Sequence, residues 1–204
     1  MFTGIVQANC ELISVREQEG LKTFEVKLPD NLTQGLVVGA SVANNGVCLT
    51  ATRVEHDRAF FDVMEETLKL TNLDSLRVND KVNIERSLTF GSEIGGHIIS
   101  GHIHTKAKVT EVSNTNSHFD LTLEVEPQWM NYIFYKGFVG VNGCSLTVGA
   151  VTTNSFKLHL IPETLNLTNL DQCKVGDELN IEIDSQTQAI VETVERVLAA
   201  KGFA

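Results

Sequence analysis

The chain has no apolar run approaching the ~18 residues that a membrane-spanning helix needs. Its N-terminus, MFTGIVQANCELIS, has neither the basic start nor the long apolar stretch of a secretory signal. Cysteine is sparse. Cys10, Cys48, Cys144 and Cys173 are scattered, with no C-x-x-C pair, and read as reduced thiols of a cytoplasmic protein. Basic residues are in deficit, 16 against 26 acidic ones, and the resulting net charge of −10 excludes a nucleic-acid backbone or an anionic membrane as the main partner. Proline is scarce, with 3 in 204 residues, and long helical periodicity is absent from all but the C-terminus. What remains is a soluble globular composition, 42% hydrophobic and 21% charged, in a length that suits one large domain or two small ones.

What is there is a sentence written twice. NNGVCLT at 44–50 returns as VNGCSLT at 141–147, an offset of 97 (Asn45 to Asn142). The same offset carries Thr3-Gly4-Ile5-Val6 onto Ser100-Gly101-His102-Ile103, and Glu66-Thr67-Leu68 onto Glu163-Thr164-Leu165. It also superposes LTNLD at 70–74 on an identical LTNLD at 167–171, and Asn83-Ile84-Glu85 on Asn180-Ile181-Glu182, all without a gap. Two copies are too few for a solenoid. They imply two homologous domains, 1–97 and 98–187, and a tail, 188–204.

Each copy reads as β-structure. Residues 23–28 (TFEVKL), 59–64 (AFFDVM), 119–125 (FDLTLEV) and 155–160 (SFKLHL) are rich in aromatic and β-branched residues and alternate in polarity. Asn45-Gly46 and Asn142-Gly143 are hairpin signals, because both residue types tolerate positive φ. Val78-Asn79-Asp80 and Val175-Gly176-Asp177 mark further turns. Short strands at this density predict a small closed barrel or sandwich per copy. In the tail, Ile190, Val191, Val194, Val197 and Leu198 recur at helical spacing, with Ser185 and Gln188 as a capping box and Gly202 as a stop. The apolar stripe either packs on the chain's own barrels or joins subunits.

The informative positions are those where the copies disagree. Cys48 is matched by Ser145, His102 by Ile5, Lys136 by Gly39, Asp184 by Ser87, and Ser41 by Phe138. A shared frame with unequal reactive groups suits a reaction between two copies of one substrate. It equally fits duplicated domains that have simply diverged. His97, His102 and His104 cluster in GGHIISGHIH. No carboxylate or cysteine follows at metal-ligand spacing, so a proton shuttle is the stronger reading, since imidazole titrates near neutrality. Cys48 is either a nucleophile or a packing thiol.

MFTGIV, NGVCLT, EIGGHIISGHI, YKGFVGVNGCSLTVG, IPETLNLTNL, and VNIERS with its counterpart LNIEIDSQT together resemble the riboflavin synthases over essentially the whole chain. The resemblance implies an all-β fold of two homologous six-stranded antiparallel Greek-key barrels, with a C-terminal helix that assembles a homotrimer. It implies the last step of riboflavin formation, in which two molecules of 6,7-dimethyl-8-ribityllumazine dismutate by four-carbon transfer to riboflavin and 5-amino-6-ribitylamino-uracil. No cofactor or metal is implied. Sites would lie between subunits, and an association with lumazine synthase is left open. The alternative is a non-catalytic antenna of the same fold that binds lumazine or flavin.

Carried over by residue, the resemblance implies binding segments Gly4, Ile5, Val6, Ser41, Cys48, Leu49, Thr50 and Asp62, Val63, Met64, Glu65, Glu66, Thr67 in the first barrel. In the second it implies Gly101, His102, Ile103, Lys136, Ser145, Leu146, Thr147 and Ile161, Pro162, Glu163, Thr164, Leu165, Asn166. The candidate catalytic residues are His102 as the base for a substrate methyl group, His97 as its relay, and Cys48 or Ser145 as the nucleophile or its guide. Asp184 would polarise a hydroxyl, and Lys136 would meet the ribityl chain.

Overall fold

The computed structural model describes residues 1–115 and 118–202; Asn116, Ser117, Phe203 and Ala204, which fall within the expected second barrel and tail, lie outside the described residues. The first barrel contains β1 (Ala8–Gln18), β2 (Leu21–Lys27), β3 (Ser41–Asn44), β4 (Val47–Glu55), β5 (Arg58–Met64) and β6 (Lys81–Arg86). The second contains β7 (Thr105–Asn114), β8 (Phe119–Glu124), β9 (Phe138–Val141), β10 (Cys144–Val151), β11 (Ser155–Leu160) and β12 (Glu178–Ile183). Both are closed and antiparallel, in the orders β1-β2-β5-β4-β3-β6 and β7-β8-β11-β10-β9-β12. Closure leaves no unpaired edge, which is how a small sheet avoids pairing with other chains.

Alternation fills each interior. In β5, Ala59, Phe61 and Val63 point inward while Asp62 and Met64 face out; in β8 the inward set is Phe119, Leu121 and Leu123. Phe24, Val26 and Ile84 complete the first core, and Phe156, Leu158 and Ile181 the second. Each such side chain contributes roughly 1.5–3 kcal/mol by leaving water.

The repeated motifs meet where the barrels join. Asn45 and Gly46 have φ of 47° and 81°, and Asn142 and Gly143 have 44° and 82°, the positive pair that a type I′ hairpin demands. The two tips abut so closely that a Cβ on Gly46 would lie 2.7 Å from the Gly143 nitrogen. Around them, six asparagines interlock. Asn72 N donates to Asn180 Oδ1 at 2.7 Å, and Asn169 N donates to Asn83 Oδ1 at 2.8 Å. Asn45 Oδ1 accepts from Asn83 N, and Asn142 Oδ1 from Asn180 N. This is what LTNLD encodes. Its threonines, Thr71 and Thr168, cap a 3-10 turn; its asparagines cross between barrels; its second leucines, Leu73 and Leu170, enter the cores.

Two short helices precede those turns, α2 (Glu65–Leu70) and α3 (Pro162–Leu167); α1 (Asp30–Thr33) is a single turn in the first barrel. The tail forms α4 (Ser185–Ala200), so it turns helical before residue 188. Its cap corrects the expected capping box. Asp184, not Ser185, accepts from Thr187 N at 2.9 Å and from Thr187 Oγ1 at 2.7 Å, while Gln188 reaches His104 and Glu192. A carboxylate placed one residue earlier takes the free amide in preference to a serine hydroxyl. The apolar stripe is not spent on the barrels: Ile190 is 65% exposed and Val194 50%. No helix among the described residues is long and apolar enough to cross a membrane.

Candidate active site

The site begins with the short arms that precede β1 and β7. They run past each other, joined by Phe2 N to Ile99 O (2.8 Å) and Ile99 N to Phe2 O (3.1 Å). Having passed, each arm docks on the opposite barrel. Ser145 N donates to Gly4 O at 2.8 Å, and Cys48 N donates to Gly101 O at 2.8 Å. Val6 then packs into the second core and Ile103 onto the first.

Gly4 and Gly101 make the approach feasible. Their φ values are +73° and +84°, and a Cβ on either would lie 2.5 Å from the Cβ of Ser145 or Cys48. No other residue type fits that backbone at that distance. Buried carboxylates hold the arms behind this contact. Glu85 accepts from Thr3 N (2.7 Å), Thr3 Oγ1 (2.7 Å) and Gly4 N (3.1 Å). Glu182 does the same for Ser100 N (2.5 Å), Ser100 Oγ (2.8 Å) and Gly101 N (3.0 Å).

The crossing corrects the expected grouping of site residues. Gly4, Ile5 and Val6 line the second barrel's cleft, with Ser145, Leu146, Ile161, Glu163, Thr164, Leu167 and Thr168, in a space of about 170 Å³. Gly101, His102 and Ile103 line the first barrel's, with Val47, Cys48, Glu66, Thr67, Leu70 and Thr71, in about 220 Å³. Chain order puts each arm with the barrel that follows it; the antiparallel Phe2–Ile99 bridge carries it across instead.

Paired through the offset of 97, the clefts share Glu66/Glu163, Thr67/Thr164, Leu70/Leu167, Thr71/Thr168 and Gly101/Gly4. They differ where Cys48 corresponds to Ser145, His102 to Ile5, Val47 to Cys144 and Ile103 to Val6. The inter-barrel linker supplies the second cleft with a histidine of its own. His97 Nδ1 lies 2.7 Å from Ser145 Oγ, and its ring stacks on Phe138 at 5.3 Å. Burial pushes this imidazole below its usual pKa, with the Asp184 charge working in the opposite direction. That favours the neutral ring near pH 7, whose Nε2–H tautomer lets Nδ1 accept a hydrogen bond from the Ser145 hydroxyl. The ring Nε2 is buried and has no hydrogen-bond partner among the described residues.

The thiols separate clearly. Burial pushes Cys10 and Cys173 up to about 12 and Cys144 higher still, which disfavours the thiolate at all three. Cys48 is half-buried and opens on a cleft. His104 belongs to the scaffold: Nδ1 accepts from Ile183 N, and Nε2 meets Gln188 of α4.

The other expected positions lie around the clefts rather than in them. Ser41 sits opposite Thr50 on β3 and β4, and Phe138 opposite Thr147 on β9 and β10, with both threonines exposed. Leu49 and Val63 are buried in the first core, whereas Leu146, also buried, is one of the residues lining the second cleft. Asp62 accepts from Thr23 at 2.7 Å, and Glu65 pairs with Lys69 at 2.6 Å. Met64 is exposed; Pro162 opens α3, Leu165 packs on the second core, and Asn166 is exposed. Lys136 is exposed at φ 66°, its Nζ 5.4 Å from the Tyr135 ring. Asp184 is committed to the α4 cap. Sequence reasoning missed Glu85 and Glu182, whose signal was the repeated Asn-Ile-Glu. It also missed Gly96, where a Cβ would meet Thr3 O at 2.3 Å and Ser145 Cβ at 2.6 Å.

The profile of the lumazine binding domain matches residues 3–87 and 100–184. The chain is 52% identical over 202 residues to the riboflavin synthase of Escherichia coli (strain K12), covering 98% of this chain and 95% of that protein. It is 39% identical over 202 residues to the riboflavin synthase of Chlamydia pneumoniae, covering 99% of each. Among solved structures, LumP complexed with riboflavin superposes with a TM-score of 0.84 at 24% identity, over 91% of this chain and 100% of that one. LumP complexed with 6,7-dimethyl-8-(1'-D-ribityl) lumazine gives 0.81 at 22%, over 89% and 98%, and both show the same fold. Two crossed barrels, each carrying one lumazine binding domain, and this identity along nearly the full length place the chain in the riboflavin synthase family.

Proposed function

We propose that the chain is a cytoplasmic transferase that converts two molecules of 6,7-dimethyl-8-ribityllumazine into riboflavin and 5-amino-6-ribitylamino-uracil. The observation that carries this is the pair of clefts, alike in frame but exchanging Cys48 and His102 for Ser145 and Ile5. Equal frames suit two copies of one molecule; unequal reactive groups give the copies different roles. Atoms balance between two substrates and two products, so no outside oxidant or reductant enters.

In the first cleft His102 removes a proton from the ring-7 methyl group, whose anion is delocalised into the heterocycle. In the second, the Ser145 hydroxyl, polarised by His97 at 2.7 Å, adds to the methyl-bearing carbon or guides a water onto it. Holding two large rings in register supplies much of the remaining acceleration, worth several kcal/mol or more.

Neither cleft is large enough alone, at about 220 and 170 Å³ against the ~300 Å³ or more usual for such ligands. Ile161, at 63% exposed, and Met64, at 68%, flank them. These features and the bare stripe of α4 support a homotrimer in which a first barrel faces the second barrel of a neighbour. The same reading divides the chain at about 1–97, 98–187 and a tail that begins with α4. Four free cysteines fit a reducing compartment.

Mixing purified protein with the lumazine alone and following absorbance tests the proposal. One riboflavin for every two lumazines lost is expected. Tight binding with no riboflavin formed would instead establish the antenna alternative.

A further inference from the structure

We propose that Glu85 and Glu182 are positioning residues that each serve the cleft of the opposite barrel, Glu85 that of Ser145 and Glu182 that of Cys48. The inference rests on the reading above that both clefts hold lumazine.

Each carboxylate sits near the end of its own barrel's last strand, β6 or β12, and is 4% exposed. Neither has an ion-pair partner among the described residues, where a buried acid ordinarily acquires one. Desolvation raises the pKa of both, against the pull of the amide bonds they accept. A residue that costs stability in this way and forms no part of the apolar core is explained by what its oxygens grip. Both grip two consecutive amides and one hydroxyl of the arm, and no other group among the described residues.

The next atoms along are the cleft itself. Gly4 donates its amide to Glu85 and, through its carbonyl, accepts from Ser145 N. Gly101 links Glu182 to Cys48 N in the same way. One glycine residue therefore separates each carboxylate from the backbone of the reactive residue in the other barrel. The Phe2–Ile99 bridge and the buried Phe2, Val6 and Ile99 anchor the arms on either side. Ile5 and His102, next to the gripped amides, are exposed, so there the carboxylate is the side chain that fixes the backbone. A glutamine offers one accepting oxygen and one donating NH2, so it cannot accept all three hydrogen bonds. At least one arm amide then faces a donor and the glycine carbonyl shifts.

Cys48 is a built-in reporter. In Glu182→Gln, iodoacetamide labelling of Cys48, located by peptide mass mapping, should change by 5-fold or more without ligand. The lumazine concentration that half-protects Cys48 should rise about 10-fold. In Glu85→Gln both should stay within 2-fold of wild type. Exchanging the reporter with Cys48→Ser plus Ser145→Cys should reverse the pattern, so that Glu85→Gln shifts labelling and protection and Glu182→Gln does not. If either glutamine variant does not fold, Ser100→Ala and Thr3→Val remove only the hydroxyl contact and should give the same crossed pattern with smaller shifts. Glu182→Asp should restore protection in part, because charge and acceptors return. A substitution that disturbs the cleft of its own barrel, both clefts equally or neither overturns the proposal. Wild-type Cys48 unprotected by lumazine would sink the functional reading instead, and the ligand-free labelling rates would still decide the positioning role.

Discussion

Asn83 donates from its side-chain nitrogen to the main-chain oxygen of Asn142 at 3.0 Å, tying the last strand of one barrel to the hairpin tip of the other. Asn180 returns the bond to Asn45 at 2.9 Å. Both donors are buried, so truncation strands a carbonyl out of reach of water. Asn83→Ala and Asn180→Ala should each cost about 1–3 kcal/mol per group left unpaired. Urea midpoints at an unchanged slope would measure this, and a loss below about 0.5 kcal/mol would show that water replaces the amide.

The His97–Ser145 pair should behave as a unit. Ser145→Ala and His97→Ala should each lower turnover by roughly 10²–10⁴-fold, and the double variant by no more than the worse single. Multiplying losses would mean that the two residues act independently.

Acid should expose the state of His97. Burial holds its folded pKa below the unfolded value of about 6.5, so the unfolded chain binds the extra proton first. The stability tied to neutral His97 is complete above about pH 6.5 and is lost as pH falls from there towards the depressed folded value. Melting temperatures of wild type and His97→Gln should therefore converge or cross as pH drops from 7 to 5. Parallel profiles would place the imidazole's pKa at its ordinary value.

Gly4→Ala and Gly101→Ala should damage one cleft each. Positive φ alone costs about 1 kcal/mol or more for alanine, and a Cβ 2.5 Å from Ser145 or Cys48 has no room. Lumazine titration should find one weakened site in each variant, with the barrel strands intact by circular dichroism.

The bare stripe of α4 should be a subunit seam. Val194, half exposed in the single chain, becomes buried in the proposed trimer. Val194→Glu should leave single folded chains by sedimentation and reduce turnover with them. A wild-type protein that sediments as one chain would remove the trimer.

Much of this was legible along the chain. An exact offset, hairpin Asn-Gly pairs and four alternating segments foretold two β domains, each a small barrel or sandwich, because hairpins and alternation are local and the offset copies them. The family resemblance chose the barrel. Pairing across barrels was not legible. Gly4 stands 4 residues before β1, and nothing local says it will leave that barrel. The asparagines gave a similar lesson, since LTNLD stands out in the sequence only as an exact repeat and the assembled pair alone shows its asparagine spanning the seam. The cap formed by Asp184 was not legible either, because a carboxylate before a helix serves a cap as readily as it serves chemistry.

The crossed arms also say something about descent. A solitary barrel with this sequence pattern would own a floor but no wall, since the wall arrives from elsewhere. An ancestor encoding one such barrel would have worked only as a pair of molecules exchanging their first residues. Fusion of its two gene copies would then have preserved an existing handshake. Joining both barrels in one chain also lets the partners differ, so that one carries a thiol where the other carries a hydroxyl.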